Sequence, residues 1–174
     1  MNYDFLFKLL IIGDQAVGKT NLCHCLSGKP FDELYDQTIG IEFSTCFTKV
    51  NDILIKCQLW DTSGRKEYLP LTKTYYKGVA GIIIVYDVTN RKSFDRIDFW
   101  LNEIKKNKKY NEDVNIFLVG TKNDLVDITE VSYEEGLKKA QKYKINFYEI
   151  SSKYTSNIKN VKTNICNKIY FNYD

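Results

Sequence analysis

The chain has 174 residues, 44% of them apolar and 27% charged, with a formal net charge of +3. That length suffices for one ordinary domain, the composition argues against disorder, and so small a charge gives no basis for nucleic-acid binding. Five cysteines without a C-x-x-C pair, beside the single histidine His24, argue against a disulfide framework or a metal cluster and for buried reduced thiols.

Met1-Asn2-Tyr3-Asp4 lacks the features of a signal peptide, and Asn2 stands where myristoylation requires glycine. The longest apolar run, Val79 to Tyr86, is too short to span a bilayer, so a cytosolic protein is expected. Phe5 to Ile12 reads as a buried strand running without a linker into Gly13-Asp14-Gln15-Ala16-Val17-Gly18-Lys19-Thr20. This octet fits G-x-x-x-x-G-K-[ST], and a helix from Asn21 to Ser27 is expected to follow it. Strand, glycine turn and helix N-terminus together make a phosphate cradle: backbone N–H groups converge on an anion, and the helix dipole adds partial positive charge. Lys19 would reach the β- and γ-phosphates and Thr20 would bind Mg²⁺, so a nucleoside triphosphate is the expected ligand.

Gly28-Lys29-Pro30 breaks the helix, and Phe31 to Gln37 reads as loop. Ile39 to Val50 and Ile53 to Trp60 are strand-like and joined through Asn51-Asp52 as a hairpin. Arg65 to Lys77 is expected to be a loop with a short helix, and Val79 to Tyr86 a strand buried on both faces. Phe94, Ile97, Leu101 and Ile104 stripe one helix face; its basic end, Lys105 to Lys109, suits the helix dipole. Val114 to Val119 is a further strand, and Ser132-x-x-Glu135 opens a helix through Tyr143. Ile145 to Ile150 is a sixth strand, and Ile158, Val161, Ile165 and Ile169 stripe a last helix. Alternating strands and helices predict an α/β/α three-layer fold of the P-loop NTPase type. Its six-stranded, mostly parallel sheet has one antiparallel edge strand and about five helices, and ligands bind at the strands' carboxyl ends.

Three more loops at strand ends carry chemistry. Asp61 can hold Mg²⁺ through water, and Gly64 can bring its N–H against a γ-phosphate with no Cβ in the way. In Gly120-Thr121-Lys122-Asn123-Asp124, the Asp124 carboxylate can accept from N1–H and N2–H₂ of guanine, donors that adenine lacks. Ser151-Ser152-Lys153 follows the next strand.

With GDQAVGKT, Thr38 in TIGIEF, DTSG, TKND and SSK in this order, the chain resembles the small Ras-like GTPases over its whole length. Ile39 to Phe43, Cys57 to Asp61, Tyr75 to Gly78 and Gly81 to Asn90 are similar to the Rab family within them. The resemblance implies a single GTP-binding domain over residues 1–174, acting as a GTP/GDP switch with Mg²⁺ and recruiting effectors in vesicle traffic. It implies that Gln15, Ala16, Val17, Gly18, Lys19, Thr20 and Asn21 hold the phosphates, with Tyr35 and Thr38 from the first switch. Phe31 would pack on the guanine ring, with Thr121, Lys122, Asp124, Ser151, Ser152 and Lys153 around the base. Thr20, Thr38 and Asp61 would serve the metal, while Lys19, Thr38, Gly64 and Arg65 stand at the catalytic positions. Phe43, Trp60 and Tyr75 match an effector-binding aromatic triad, and an exchange factor and a GTPase-activating protein are the other implied partners of a monomer.

The departures from the family matter as much. Arg65 replaces the glutamine that orients the attacking water; arginine has donors only and cannot accept from water. Gln15 occupies a position that is small in most relatives, near where a partner's catalytic arginine must fit. Slow intrinsic hydrolysis, open to assistance by a partner, is the expectation; a hydrolysis-deficient GTP-bound scaffold is the alternative. Thr121 replaces an asparagine and is expected to bridge the base loop to the phosphate loop less well. Ser63 and Ser152 replace alanines, and Lys66-Glu67-Tyr68 inverts the charge order of a partner-facing segment. The family's prenylated tail is expected to be absent, since Cys166 falls within the last helix; membrane association on the cytosolic face would need that tail.

Overall fold

The computed structural model describes residues 2–34, 37–107, 114–154 and 157–172. Six strands form one sheet: β1 (Phe5–Gly13), β2 (Ile41–Val50), β3 (Ile53–Thr62), β4 (Gly81–Asp87), β5 (Asn115–Thr121) and β6 (Asn146–Glu149). Their order is β2-β3-β1-β4-β5-β6, parallel throughout except for the β2–β3 hairpin at one edge. That hairpin closes from Val50 to Ile53 across Asn51 and Asp52, whose φ values of 46° and 67° give the left-handed pair that matches strand twist.

Helices α1 (Lys19–Leu26), α2 (Leu69–Tyr75), α3 (Arg91–Asp95), α4 (Ile97–Lys106), α5 (Tyr133–Tyr143) and α6 (Ile158–Tyr170) cover the two faces. β4 shows why both faces need covering. Ile83 and Val85 point into one core with Leu22 of α1 and Ile165 of α6, while Ile82, Ile84 and Tyr86 point into the other with Trp100 and Ala140. All seven residues of the strand are buried, as its unbroken apolar run requires.

The stripe read as one helix is split into α3 and α4 at Arg96, giving six α-helices among the described residues. The apolar face survives the break: Phe94, Ile97, Leu101 and Ile104 are all buried in the same core. The reciprocal cap of α5 is present, Ser132 Oγ accepting from the Glu135 N–H and Glu135 Oε2 accepting from the Ser132 N–H. Arg91 also reaches Glu135 at 2.8 Å and holds its carboxyl down to about 2. All five cysteines are buried free thiols, and no described helix is long and apolar enough to cross a membrane.

Gly136 shows how tightly α5 lies on the sheet. A Cβ there would sit 2.4 Å from Phe147 Cζ and 2.6 Å from the Tyr86 hydroxyl oxygen. Helix propensity favours Gly136→Ala by about 1 kcal/mol, whereas overpacking costs about 1–3 kcal/mol. The variant is expected to unfold at lower urea concentration than the parent; a higher midpoint would show that α5 can move off the sheet freely.

Candidate functional site

The four chemically marked loops leave the carboxyl ends of β1, β3, β5 and β6 and meet on one side of the molecule. The parallel sheet makes this so: every strand that enters from below delivers its following loop to the same edge. Asp14 to Gly18 joins β1 to α1, and Lys19, only 5% exposed, begins the helix. Lys19 Nζ donates to the Asp14 carbonyl at 2.6 Å. Burial pushes the Lys19 ammonium down to about 8, even with Asp61 and Asp14 nearby to oppose the shift.

Gly64, at the end of the β3 loop, lies directly on this turn. A Cβ on Gly64 would stand 2.3 Å from the Gly13 carbonyl oxygen and 2.7 Å from Lys19 Nζ, and its φ of 74° is itself left-handed. Only a glycine lets the loop after β3, the second switch of the family that the sequence resembles, lie against the phosphate loop in this way.

Beside it, Thr20, Thr38 and Asp61 converge. The Thr20 hydroxyl donates to Asp61 Oδ2 at 2.6 Å, and the Thr20 and Thr38 hydroxyl oxygens stand 3.0 Å apart. Asp61 is 3% exposed, and burial pushes its carboxyl up to about 6. Its other oxygen, Oδ1, is buried with no described hydrogen-bond partner. Two hydroxyls and an unsatisfied carboxylate oxygen are hard donors of the kind Mg²⁺ takes, so these residues fit the ion. Among the described residues no group of three His, Cys, Asp or Glu side chains could hold a metal.

A cavity of about 290 Å³ opens next to the phosphate loop, and Asn21, Phe31, Lys122, Asp124, Ser152 and Lys153 are among its walls. Lys122 is anchored to Asp87 Oδ2 at 2.6 Å and to the Ala16 carbonyl at 3.1 Å. Asp124 is half-buried on the wall of this cavity, and no described side chain donates to its carboxylate. Ser151 Oγ accepts from the N–H groups of Lys153 and Tyr154, which shapes that loop. Asn21 and Asp32 exchange two hydrogen bonds that tie α1 to the Phe31 segment.

Some expected site residues do other work. Val17 is a core side chain, 1% exposed, so only its backbone faces the loop. The bridge from Thr121 is present: its hydroxyl reaches the Val17 carbonyl at 2.5 Å and the Tyr86 carbonyl at 3.0 Å, joining the base loop to the phosphate loop. Arg65 points to the first switch, its Nη2 donating to Gln37 Oε1, while its N–H donates to Ser63 Oγ. Gln15 is exposed and shares a cavity of about 590 Å³ with Gly64 and Arg65. Tyr35 lies outside the described residues.

Phe43, Trp60 and Tyr75 are brought together, Phe43 to Trp60 at 5.2 Å and Trp60 to Tyr75 at 5.0 Å between ring centroids. Phe43 is half exposed, whereas Trp60 and Tyr75 are partly buried and pack against the core that holds Trp100, with Lys8 Nζ 4.9 Å from the Trp60 ring centroid. Three functional residues were not foreseen from sequence. Asp87 anchors Lys122, and its position at the end of a buried strand was the available signal, as it was for Asp61. Asp14 accepts from both Arg96 Nε and Trp100 Nε1 at 2.9 Å, fastening α4 to the phosphate loop. Gln37 had no local signal at all, because its partner lies 28 residues away.

A Ras family model matches residues 8–171. The chain belongs to the Ras family. It is 40% identical to Ras-related protein Rab-11B of Dictyostelium discoideum over 98% of this chain and 77% of that one. Ras-related protein RABA1b of Arabidopsis thaliana is 37% identical over 97% and 77%, and Ras-related protein Rab-8A of Pongo abelii 42% over 91% and 75%. Within the Ras family it is a Rab-type small GTPase, a GTP phosphohydrolase that switches between GTP and GDP states in vesicle-mediated transport. Ras-family GTPases as a class bind guanine nucleotide and Mg²⁺.

The buried Asp61 carboxylate yields a test in the nucleotide-free protein. With a folded-state value near 6 against 3.8 in the unfolded chain, its ionisation opposes folding by on the order of 3 kcal/mol at neutral pH. A raised carboxyl value means the penalty is full above the folded value and fades as pH falls through about 6. Asp61→Asn is therefore expected to unfold at a higher temperature than the parent at neutral pH, with the gap narrowing below pH 6 and Mg²⁺ stabilising only the parent. A variant melting below the parent at neutral pH would refute this.

Proposed function

We propose that this chain binds GTP through Lys19 and the backbone of Gln15 to Asn21, reads guanine through Asp124, and hydrolyses GTP slowly without a partner. The Asp124 carboxylate on the wall of the base cavity supports this reading most directly. There the carboxylate can accept from the two N–H donors of guanine, and adenine offers neither. Lys122, held by Asp87 and the Ala16 carbonyl, keeps the base loop against the phosphate loop. Thr20, Thr38 and Asp61 would hold Mg²⁺, which when bound supplies charge neutralisation between the β- and γ-phosphates. Gly64 and Thr38 then form the two contacts that register the γ-phosphate, ordering the switches in the GTP state.

Slow hydrolysis rests on Arg65, which has no lone pair to offer an attacking water. The long-lived GTP state would present Phe43, Trp60 and Tyr75 to effectors, aromatic anchors of the type that dominate interfaces. An exchange factor and a GTPase-activating protein would complete the cycle, on the cytosolic face of an endomembrane. The whole chain would act as one GTP-binding domain, a monomer when not engaged by these partners.

Competition binding tests the base, and the bound nucleotide tests the rate. GTP and GDP are expected to outcompete ATP by about 10⁴-fold, a preference that Asp124→Ala collapses. Equal competition by ATP would refute the guanine reading. Arg65→Gln is expected to raise the single-turnover rate by about tenfold, equivalent to about 1.4 kcal/mol of barrier. GTP recovered from the denatured parent protein fits slow hydrolysis, whereas GDP alone would show that Arg65 is no impediment.

A further inference from the structure

The attacking water in GTP hydrolysis needs a fixed hydrogen-bond acceptor, and Arg65 cannot be one. Two glutamines lie beside the Gly64–Arg65 segment that packs on the phosphate loop. Gln15 is exposed on the wall of the neighbouring cavity, with no side-chain hydrogen bond described. Gln37 is different: its Oε1 accepts from Arg65 Nη2, so the side chain is held by the very residue that displaced the family's glutamine. Both backbones are anchored at the site. Gln37 precedes Thr38, which is buried and whose hydroxyl oxygen is 3.0 Å from that of Thr20. Arg65 follows Gly64, which is packed on the phosphate loop, and the Arg65 N–H is fastened to Ser63 Oγ at 3.3 Å.

We propose that Gln37, oriented by Arg65, positions the water for the slow GTP hydrolysis of this chain. The proposal rests on the guanine-nucleotide reading above. The chemistry suits the pair. A carbonyl oxygen carries two lone pairs; Arg65 takes one and leaves the other for an O–H of water, while the amide N–H₂ stays available to a phosphate oxygen. Arg65 has five N–H donors and spends one on Gln37, so its positive charge also polarises the amide that it holds. In the step itself the water oxygen bonds to the γ-phosphorus as the bond from that phosphorus to the β–γ bridging oxygen breaks. GDP departs with the bridging oxygen and both bonding electrons, and the two water protons end on inorganic phosphate as H₂PO₄⁻. Gln37 is then a catalytic residue and Arg65 a positioning residue acting through it. Glutamine and arginine have in effect exchanged switches, Gln37 coming from the first and Arg65 from the second.

The test uses the whole chain as wild type, Gln37→Ala, Arg65→Ala and the double variant. Three quantities are measured on each: GDP affinity, single-turnover GTP hydrolysis, and affinity for GDP with aluminium fluoride, which mimics the transferring phosphoryl group. Each single variant is expected to bind GDP within about twofold of wild type and to hydrolyse GTP on the order of 10- to 100-fold more slowly. Binding of GDP with aluminium fluoride should weaken by a similar factor, because the lost contact belongs to the transition state. The double variant should be no slower than Gln37→Ala, since Arg65 acts only through Gln37. A Gln37→Ala protein with wild-type rate and wild-type response to aluminium fluoride overturns the proposal. So does a rate loss matched by an equal loss of GDP affinity, or a wild type that binds GTP and never hydrolyses it. Failure of all four proteins to bind GDP would instead bring down the nucleotide reading beneath it.

Discussion

A lysine and an aspartate are held almost out of water at the carboxyl edge of the sheet, and their mutual attraction is outweighed by the effect of burial on each. Lys19 is 5% exposed and Asp61 3%, and burial moves both toward their uncharged forms. Proteins tolerate such groups where a ligand supplies the missing charge. In the reading proposed above, triphosphate would answer the lysine and a divalent cation the aspartate. The Thr20 hydroxyl, donating to Asp61 from the first residue after Lys19, couples the two demands. Ligand charge that favours these two groups in their ionised forms would favour the conformation that holds them together, which is how a ligand can act as a switch.

The rest of the fold holds that arrangement in place. β1 lies between β3 and β4, so the phosphate loop and the Asp61 loop leave adjacent strands. β4, β5 and β6 follow in order on the other side, carrying Asp87, the Lys122 loop and the Ser151 loop to the same edge. Cross-links then join neighbouring loops: Thr121 to Val17, Lys122 to Ala16 and Asp87, Arg96 and Trp100 to Asp14. On one side of the phosphate loop most of these contacts are buried or half-buried. On the other, where Gly64, Arg65 and Gln37 meet, they join two loops through exposed side chains. A ligand bound across that boundary is held firmly at its base and sensed at its terminal phosphate.

Most of this was legible in the chain itself. The glycine-lysine-threonine octet after an apolar run, Asp61 at a strand end and the cap at Ser132 are local patterns, because each depends on residues within one strand, turn or helix. The hairpin at Asn51-Asp52 and the buried β4 were legible for the same reason. The break at Arg96 was not, since the apolar stripe continues across it and only the reach of Arg96 to Asp14, 82 residues back, distinguishes that position.

Sequence by itself determined the class of fold, the phosphate-loop pattern, the aspartate proposed to read the base and the arginine where the family has its water-orienting glutamine. Those follow from residue type at fixed local spacing, where backbone geometry leaves few choices. Tertiary structure alone decided that Thr121 still bridges to the phosphate loop, that Val17 turns into the core, and that Arg65 turns to Gln37. Each of these depends on which loops the sheet order sets side by side. A side chain's partner across two loops is chosen by distance in space, and no local pattern in the chain encodes that distance.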